Sequence, residues 1–163
     1  MPNFDEIFST TQERPIRYKD QLLERIDYIP FEDGEQLLVK IEKTNSEWIQ
    51  GIGLLVFGYI EIEALGKKVK DRTVFMENTA PKELCIRVWK ENAKRKQPKT
   101  LPKPGLLGVK NVWDTGNGTI ESWYWGAAMI IEQIPGGRRY YCNDGHPDDN
   151  FDDIVFSVQK ISS

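Results

Sequence analysis

From Leu37 onward the apolar residues fall on alternate positions. Leu37, Val39 and Ile41 are spaced by two, as are Leu84, Ile86 and Val88, while Ile60, Ile62 and Ala64 alternate with Tyr59, Glu61 and Glu63. A period of two sends successive side chains to opposite faces of a strand, and no helix can bury such a pattern on one side. Turn-forming residues punctuate the runs: Asn45-Ser46, Leu65-Gly66-Lys67, Asn78 to Pro81, Asp114 to Gly118 and Pro135-Gly136-Gly137. The runs predict strands at 37–41, 52–63, 73–76, 84–88, 107–113, 123–133, 138–142 and 154–158. Short strands at this spacing specify an all-β chain, a mostly antiparallel β-sandwich.

The first 35 residues lack the alternation and read as a less regular amino-terminal extension of a single domain spanning 1–163. Within it, Leu22, Leu23 and Ile26 stand at near-helical spacing between Pro15 and Pro30, which predicts a short amphipathic helix over 18–28. With 163 residues the chain can bury one sizeable core without a disulfide or metal to staple it. Lys90 to Pro104 breaks the strand pattern with Pro98, Pro102, Pro104 and six basic residues. Proline opposes both a ladder and a continuous helix, so this is expected to be a solvated, mobile surface loop.

Net charge is -3, which excludes the strongly basic footprint of a nucleic-acid binder. No apolar run is long enough to span a membrane as a helix. Cys85 and Cys142 are the two cysteines, and with His146 as the lone histidine they are too few for a four-ligand zinc site. A Cys85–Cys142 disulfide cannot be read from sequence. The start of the chain has no secretory signal pattern, so the expected setting is the cytoplasm with free thiols, any release being by a non-classical route.

The charge is uneven. Residues 142–153, CNDGHPDDNFDD, hold five aspartates and no Lys or Arg, leaving the rest of the chain at +2. A loop that dense in carboxylates is either solvated or neutralised by a cation. Calcium takes 6 to 8 oxygen ligands, and Asp148, Asn150 and Asp152 recur on one side of an extended backbone while Phe151 points to the other. An EF-hand is excluded: counting from Asp148, its sixth and twelfth positions need Gly and Glu and carry Asp153 and Gln159.

Asp148-Asp149-Asn150-Phe151-Asp152-Asp153, followed by an apolar strand, resembles the D-x-D-[YF]-N-D signature of bacterial calcium-mediated lectins and of related β-sandwich adhesin modules. Asn143-Asp144-Gly145 stands where those lectins carry an acidic residue, Asp and Gly. The resemblance implies a Ca2+ site formed by Asn143, Asp144, Asp148, Asn150, Asp152 and Asp153. It also implies a carbohydrate or glycoconjugate partner held on the calcium through Asp148 and Asp153. The sequence departs from the signature with Asn150 in place of Asp, Asp152 in place of Asn and Asn143 in place of the acidic residue. It also lacks the carboxyl-terminal glycine that those lectins lend to a neighbouring subunit, so homo-oligomerisation is left open. The resemblance covers about 16 residues.

Trp123 and Trp125 share one strand face and would offer rings to a sugar, although aromatic side chains also fill cores. His146 has no nucleophile near it in sequence, and no nucleophile elbow, phosphate loop or zinc helix is present. Glu61, Glu63 and Glu77 could pair as in a glycosidase, but the solvent face of a strand accounts for them. The expectation is a binding protein and not an enzyme: a calcium-dependent, lectin-like module, or alternatively a metal-independent interaction or inhibitor module, of immunity type, that sets its acidic loop against a basic partner.

Overall fold

The computed structural model describes residues 16–18, 21–92, 94–122, 127–145 and 150–161. Twelve strands are present among them: β1 Ile16–Tyr18, β2 Gln21–Glu24, β3 Asp27–Pro30, β4 Glu35–Thr44, β5 Ile49–Ile62, β6 Lys67–Met76, β7 Glu83–Lys90, β8 Leu106–Asp114, β9 Ile120–Glu121, β10 Ala128–Ile134, β11 Gly137–Asn143 and β12 Ile154–Lys160. They form one sheet in the order β1-β2-β10-β11-β12-β4-β7-β5-β8-β3, with β6 on β5 and β9 on β8, and every pairing is antiparallel. The sheet curls into a half-barrel, the all-β sandwich-like class expected from the alternation.

The concave side holds the core. Val39 and Ile41 of β4, Ile86 and Val88 of β7, Val109 of β8 and Phe156 of β12 meet there, each from the inward parity of its strand. Tyr140 stacks on Phe156 with ring centroids 4.9 Å apart.

β5 organises the curl. Its first half pairs with β8 through Leu55, and its last five residues pair with β7 from Gly58 on. Between Leu55 and Tyr59 its register with β6 slips: β5 uses residues 56–58 where β6 uses Asp71 alone, at a left-handed φ of 67°. A bulge of this kind bends and twists the strand. Gly58 sits at the bend because a Cβ there would lie 1.9 Å from the Trp89 carbonyl oxygen.

Side chains tie β3, at one end of the strand order, across to β11. Asp27 Oδ2 on β3 accepts from Arg138 Nη1 and from Tyr140 Oη on β11, each at 2.7 Å, and Arg138 also donates to the Tyr28 carbonyl at 3.1 Å.

Two expectations are corrected. Over 18–28 there is no helix among the described residues; β2 and β3 occupy 21–24 and 27–30. The three apolar residues that suggested one face go to different places. Leu23 is buried with Ala128 and Phe151, Ile26 packs on Leu55, Phe57 and Leu101, and Leu22 is half exposed. Beyond Lys90, the last residue of β7, the described residues of 91–104 form no strand or helix, as expected, but they are packed and not simply solvated. Leu101 is buried on Leu55 and Phe57 on the convex face of β5, Pro102 is buried, and Gln97 Nε2 donates to the carbonyls of Leu101 and Pro102. Cys85 and Cys142 are both free thiols.

Candidate functional site

The acidic segment is the connection between β11 and β12, and it faces the short turn between β4 and β5. Its ends are drawn together by backbone bonds. The Asp153 N–H donates to the Cys142 carbonyl at 3.0 Å, and the Asn45 N–H to the Asp153 carbonyl at 3.0 Å. Phe151 adopts a left-handed φ of 55° and drops its ring into the cluster with Leu23 and Ala128. Its N–H, turned by that conformation, donates to Asn143 Oδ1 at 2.7 Å.

Three of the candidate ligands are buried and hold the protein's own donors. Asn143 lies at the end of β11, and its carbonyl accepts from Asn111 Nδ2 at 2.8 Å. Asp144 Oδ2 accepts from Ser46 Oγ at 2.5 Å and from Gln50 Nε2 at 2.9 Å. Asp153 Oδ2 accepts from the Asp144 N–H at 2.9 Å. A buried carboxylate is tolerable where donors of this kind replace water. Cys142, fully buried just before them, has its thiol pushed well above the ordinary value, first by burial and then by the charge of Asp153.

The other candidates face outward. Asp152 Oδ2 accepts from Asn45 Nδ2 at 2.9 Å and lies 3.9 Å from Lys43 Nζ. Asn150 is exposed. Together with Thr44, Asn45, Ser46, Glu47 and Asp153 they line an open depression of about 560 Å³ whose every side chain carries an oxygen. Asp148, His146, Trp123 and Trp125 lie outside the described residues. Among the described residues no group of three His, Cys, Asp or Glu side chains is placed to hold a metal ion.

Sequence reasoning missed the opposing wall. Asn45 and Ser46 read only as a turn, and Gln50 fell outside the strand expected at 52–63. Glu77 supports that wall: its Oε1 accepts from Thr44 Oγ1 at 3.0 Å and its Oε2 from the Gln50 N–H at 2.6 Å. The glutamates weighed as a catalytic pair have separate partners, Glu61 taking the Trp89 indole N–H and Glu63 taking Arg87 and Gln36. The one available signal was the polar pair Asn45-Ser46 closing a hairpin beside an apolar strand, since such residues often bond neighbouring loops.

No protein-family model, curated protein or solved structure matches this chain.

Proposed function

We propose that the protein is a metal-independent interaction module that presents the acidic face around the β11–β12 connection to a basic protein partner. The observation that carries this reading is the internal bonding of Asp144 and Asp153. With Ser46, Gln50 and the Asp144 N–H as donors, these two carboxylates are held within the fold in a way that calls for no cation. The outward face around them is acidic: Glu47 on the β4–β5 turn, which is exposed, and Asp152. Opposite charge steers a partner's approach and excludes partners of the same sign.

The test is affinity capture on the immobilised chain in chelator, followed by titration with the purified captured protein. The reading expects a basic protein whose association slows in salt and is lost with the charge-reversed variant E47K/D152K. A captured protein that binds the variant equally well refutes it.

One observation favours a second reading, the calcium-dependent lectin: the depression is lined only by oxygen-bearing side chains, the chemistry a hard cation takes. That reading expects a thermal midpoint raised by calcium and sugar retention that chelator abolishes. Both results together would replace the first reading.

A further inference from the structure

The largest accumulation of unpaired charge lies elsewhere. β6 is paired on one side only, and its outward positions carry Lys68, Lys70 and Arg72, with Lys67 exposed at its start. Lysine on an edge strand has a plain role, since it keeps the edge from pairing with another chain. One or two would suffice for that.

The chain then brings a second basic segment against the first. Leu101 docks on Leu55 and Phe57, the Arg95 guanidinium lies 4.5 Å from the Phe57 ring centroid, and Arg72 Nη2 donates to Thr100 Oγ1 at 3.4 Å. This segment adds exposed Lys90, Lys94, Lys96, Lys99 and Lys103. The four cations of β6 and these five make nine of the chain's 22, and among the described residues none of the nine is in an ion pair. The two carboxylates best placed to neutralise them, Asp71 and Glu91, are both bound by Arg95. An acidic chain has therefore gathered cations and removed their local counter-charges.

Beside Arg72 a groove of about 250 Å³ runs between β6 and β8. Arg72, Thr73, Lys110 and Ser122 supply its polar groups, with Lys110 Nζ donating to Ser122 Oγ at 3.1 Å. Val74 and Ile120, each 42% exposed, flank it. The Lys110 ammonium is held below the usual lysine range by burial and then by the charge of Arg72, a strain that an incoming anion relieves. Among the described residues the only exposed large aromatic is Tyr28, on β3, and the half-buried Trp89 ring already carries the Lys68 ammonium 4.5 Å from its centroid, so a stacked base would have to displace that cation. Cations beside aliphatic side chains fit a carboxylate that travels with an apolar neighbour.

We propose that the surface formed by β6 and residues 90–104 docks an acidic polypeptide segment, with a carboxylate between Arg72 and Lys110 and an aliphatic side chain between Val74 and Ile120. The Arg72 subsite, opposite Leu55, lies roughly 17 Å along β5 from Gln50, and the far end of β6, opposite Ile62, lies roughly 40 Å from it, at 3.3 Å per strand residue.

The test uses fluorescence anisotropy at physiological salt with two labelled synthetic peptides of equal charge, one alternating Glu and Ser, the other with Leu replacing alternate Ser. The wild-type chain should bind the Leu-containing peptide at least about fivefold more tightly. K94Q/K96Q/K99Q should weaken both by about tenfold, the sum of three modest exposed contacts. V74S/I120S should make the two peptides equivalent, while E47Q/D152N changes neither. Near-UV circular dichroism confirms that each variant is folded. Equal binding of both peptides to the wild type, or tighter binding of oligouridylate of matched charge, overturns the proposal. So does a concentration-dependent mass in sedimentation that the lysine variant and E47Q/D152N both abolish, because the occupant is then a second copy of this chain.

Discussion

Truncating Asp144 to alanine separates a carboxylate that holds the fold from one that waits for a metal. In the wild type, Asp144 Oδ2 accepts from Ser46 Oγ and Gln50 Nε2, and the residue is fully buried. A hydrogen bond to an ionised group contributes about 1.5–3 kcal/mol, and a buried donor left without its acceptor adds its own desolvation cost. Gln50 Nε2 keeps a second acceptor, the Trp48 carbonyl at 3.2 Å, so its loss is partial. The two bonds together set the expected cost of D144A at about 3 kcal/mol. For a domain of this size that lowers the thermal midpoint by roughly 6–12 °C. D144N, which retains one oxygen acceptor, should cost about half as much. The assay is thermal unfolding followed by near-UV circular dichroism in chelator. That condition is decisive: a carboxylate whose purpose is to bind calcium contributes nothing to stability without it, and removing it from an acidic loop relieves repulsion. A D144A midpoint equal to or above the wild-type midpoint in chelator refutes the scaffold argument. D152N serves as the internal comparison. Its carboxylate is partly exposed and its lysine is 3.9 Å away, so the change should stay within about 0.5 kcal/mol.

Three further outcomes follow from the packing. Tyr140 and Cys142 both have pKa values pushed up, in each case chiefly by burial, so the fold prefers their neutral forms. Their stabilising contribution is full below the unfolded values, about 8.5 for Cys and 10 for Tyr, and is lost as pH rises beyond them at about 1.4 kcal/mol per pH unit per group. Denaturant midpoints should therefore fall from about pH 8.5 upward and fall more steeply above 10, and C142A should remove the earlier phase; a flat profile to pH 11 contradicts this. Gly58→Ala forces a Cβ to within 1.9 Å of the Trp89 carbonyl and should cost about 3 kcal/mol or more in urea unfolding, whereas Gly66→Ala meets no atom within 4 Å and pays only for its left-handed φ. Leu101→Ala removes the buried anchor of the 90–104 segment, so trypsin should cut that segment at least about tenfold faster than in the wild type, with the global midpoint less affected; equal cleavage rates would show that the segment is not held by this contact.

The parts of the fold legible in the sequence are those where one face alone decides burial. β4 and β7 carry an unbroken alternation because one side of each faces the core, while β12 was legible as a short apolar run, Ile154 to Val158, buried on both faces. β6 was legible only over Thr73 to Met76. Its first half, Lys67 to Arg72, has Val69 as its sole apolar residue, since an edge strand paired on one side can be solvated along most of its length. The amino-terminal strands were misread as a helix because an apolar triplet of short span fits either period. Their burial is decided by partners distant in sequence, Phe151 and Ala128 for Leu23 and Leu101 for Ile26.

At the acidic loop the composition was legible and the direction of each side chain was not. The two-residue spacing of Asp148, Asn150 and Asp152 places them on one side only if the backbone between them stays extended. Phe151 breaks that condition with its left-handed φ, which sends its N–H to Asn143. Adjacent Asp152 and Asp153 then part company, the first toward Asn45 and solvent, the second inward to the Asp144 N–H. The partners that make this arrangement stable, Ser46 and Gln50, stand 98 and 94 residues from Asp144, beyond the reach of any local pattern. Repulsion among neighbouring carboxylates argues for a cation only when all of them share one solvent pocket. Among the described residues the fold divides them between a hydrogen-bonded interior, with Asp144 and Asp153, and an open face, with Asp152, so the run yields two features: a latch between the β4–β5 turn and the β11–β12 connection, and a charged rim above it.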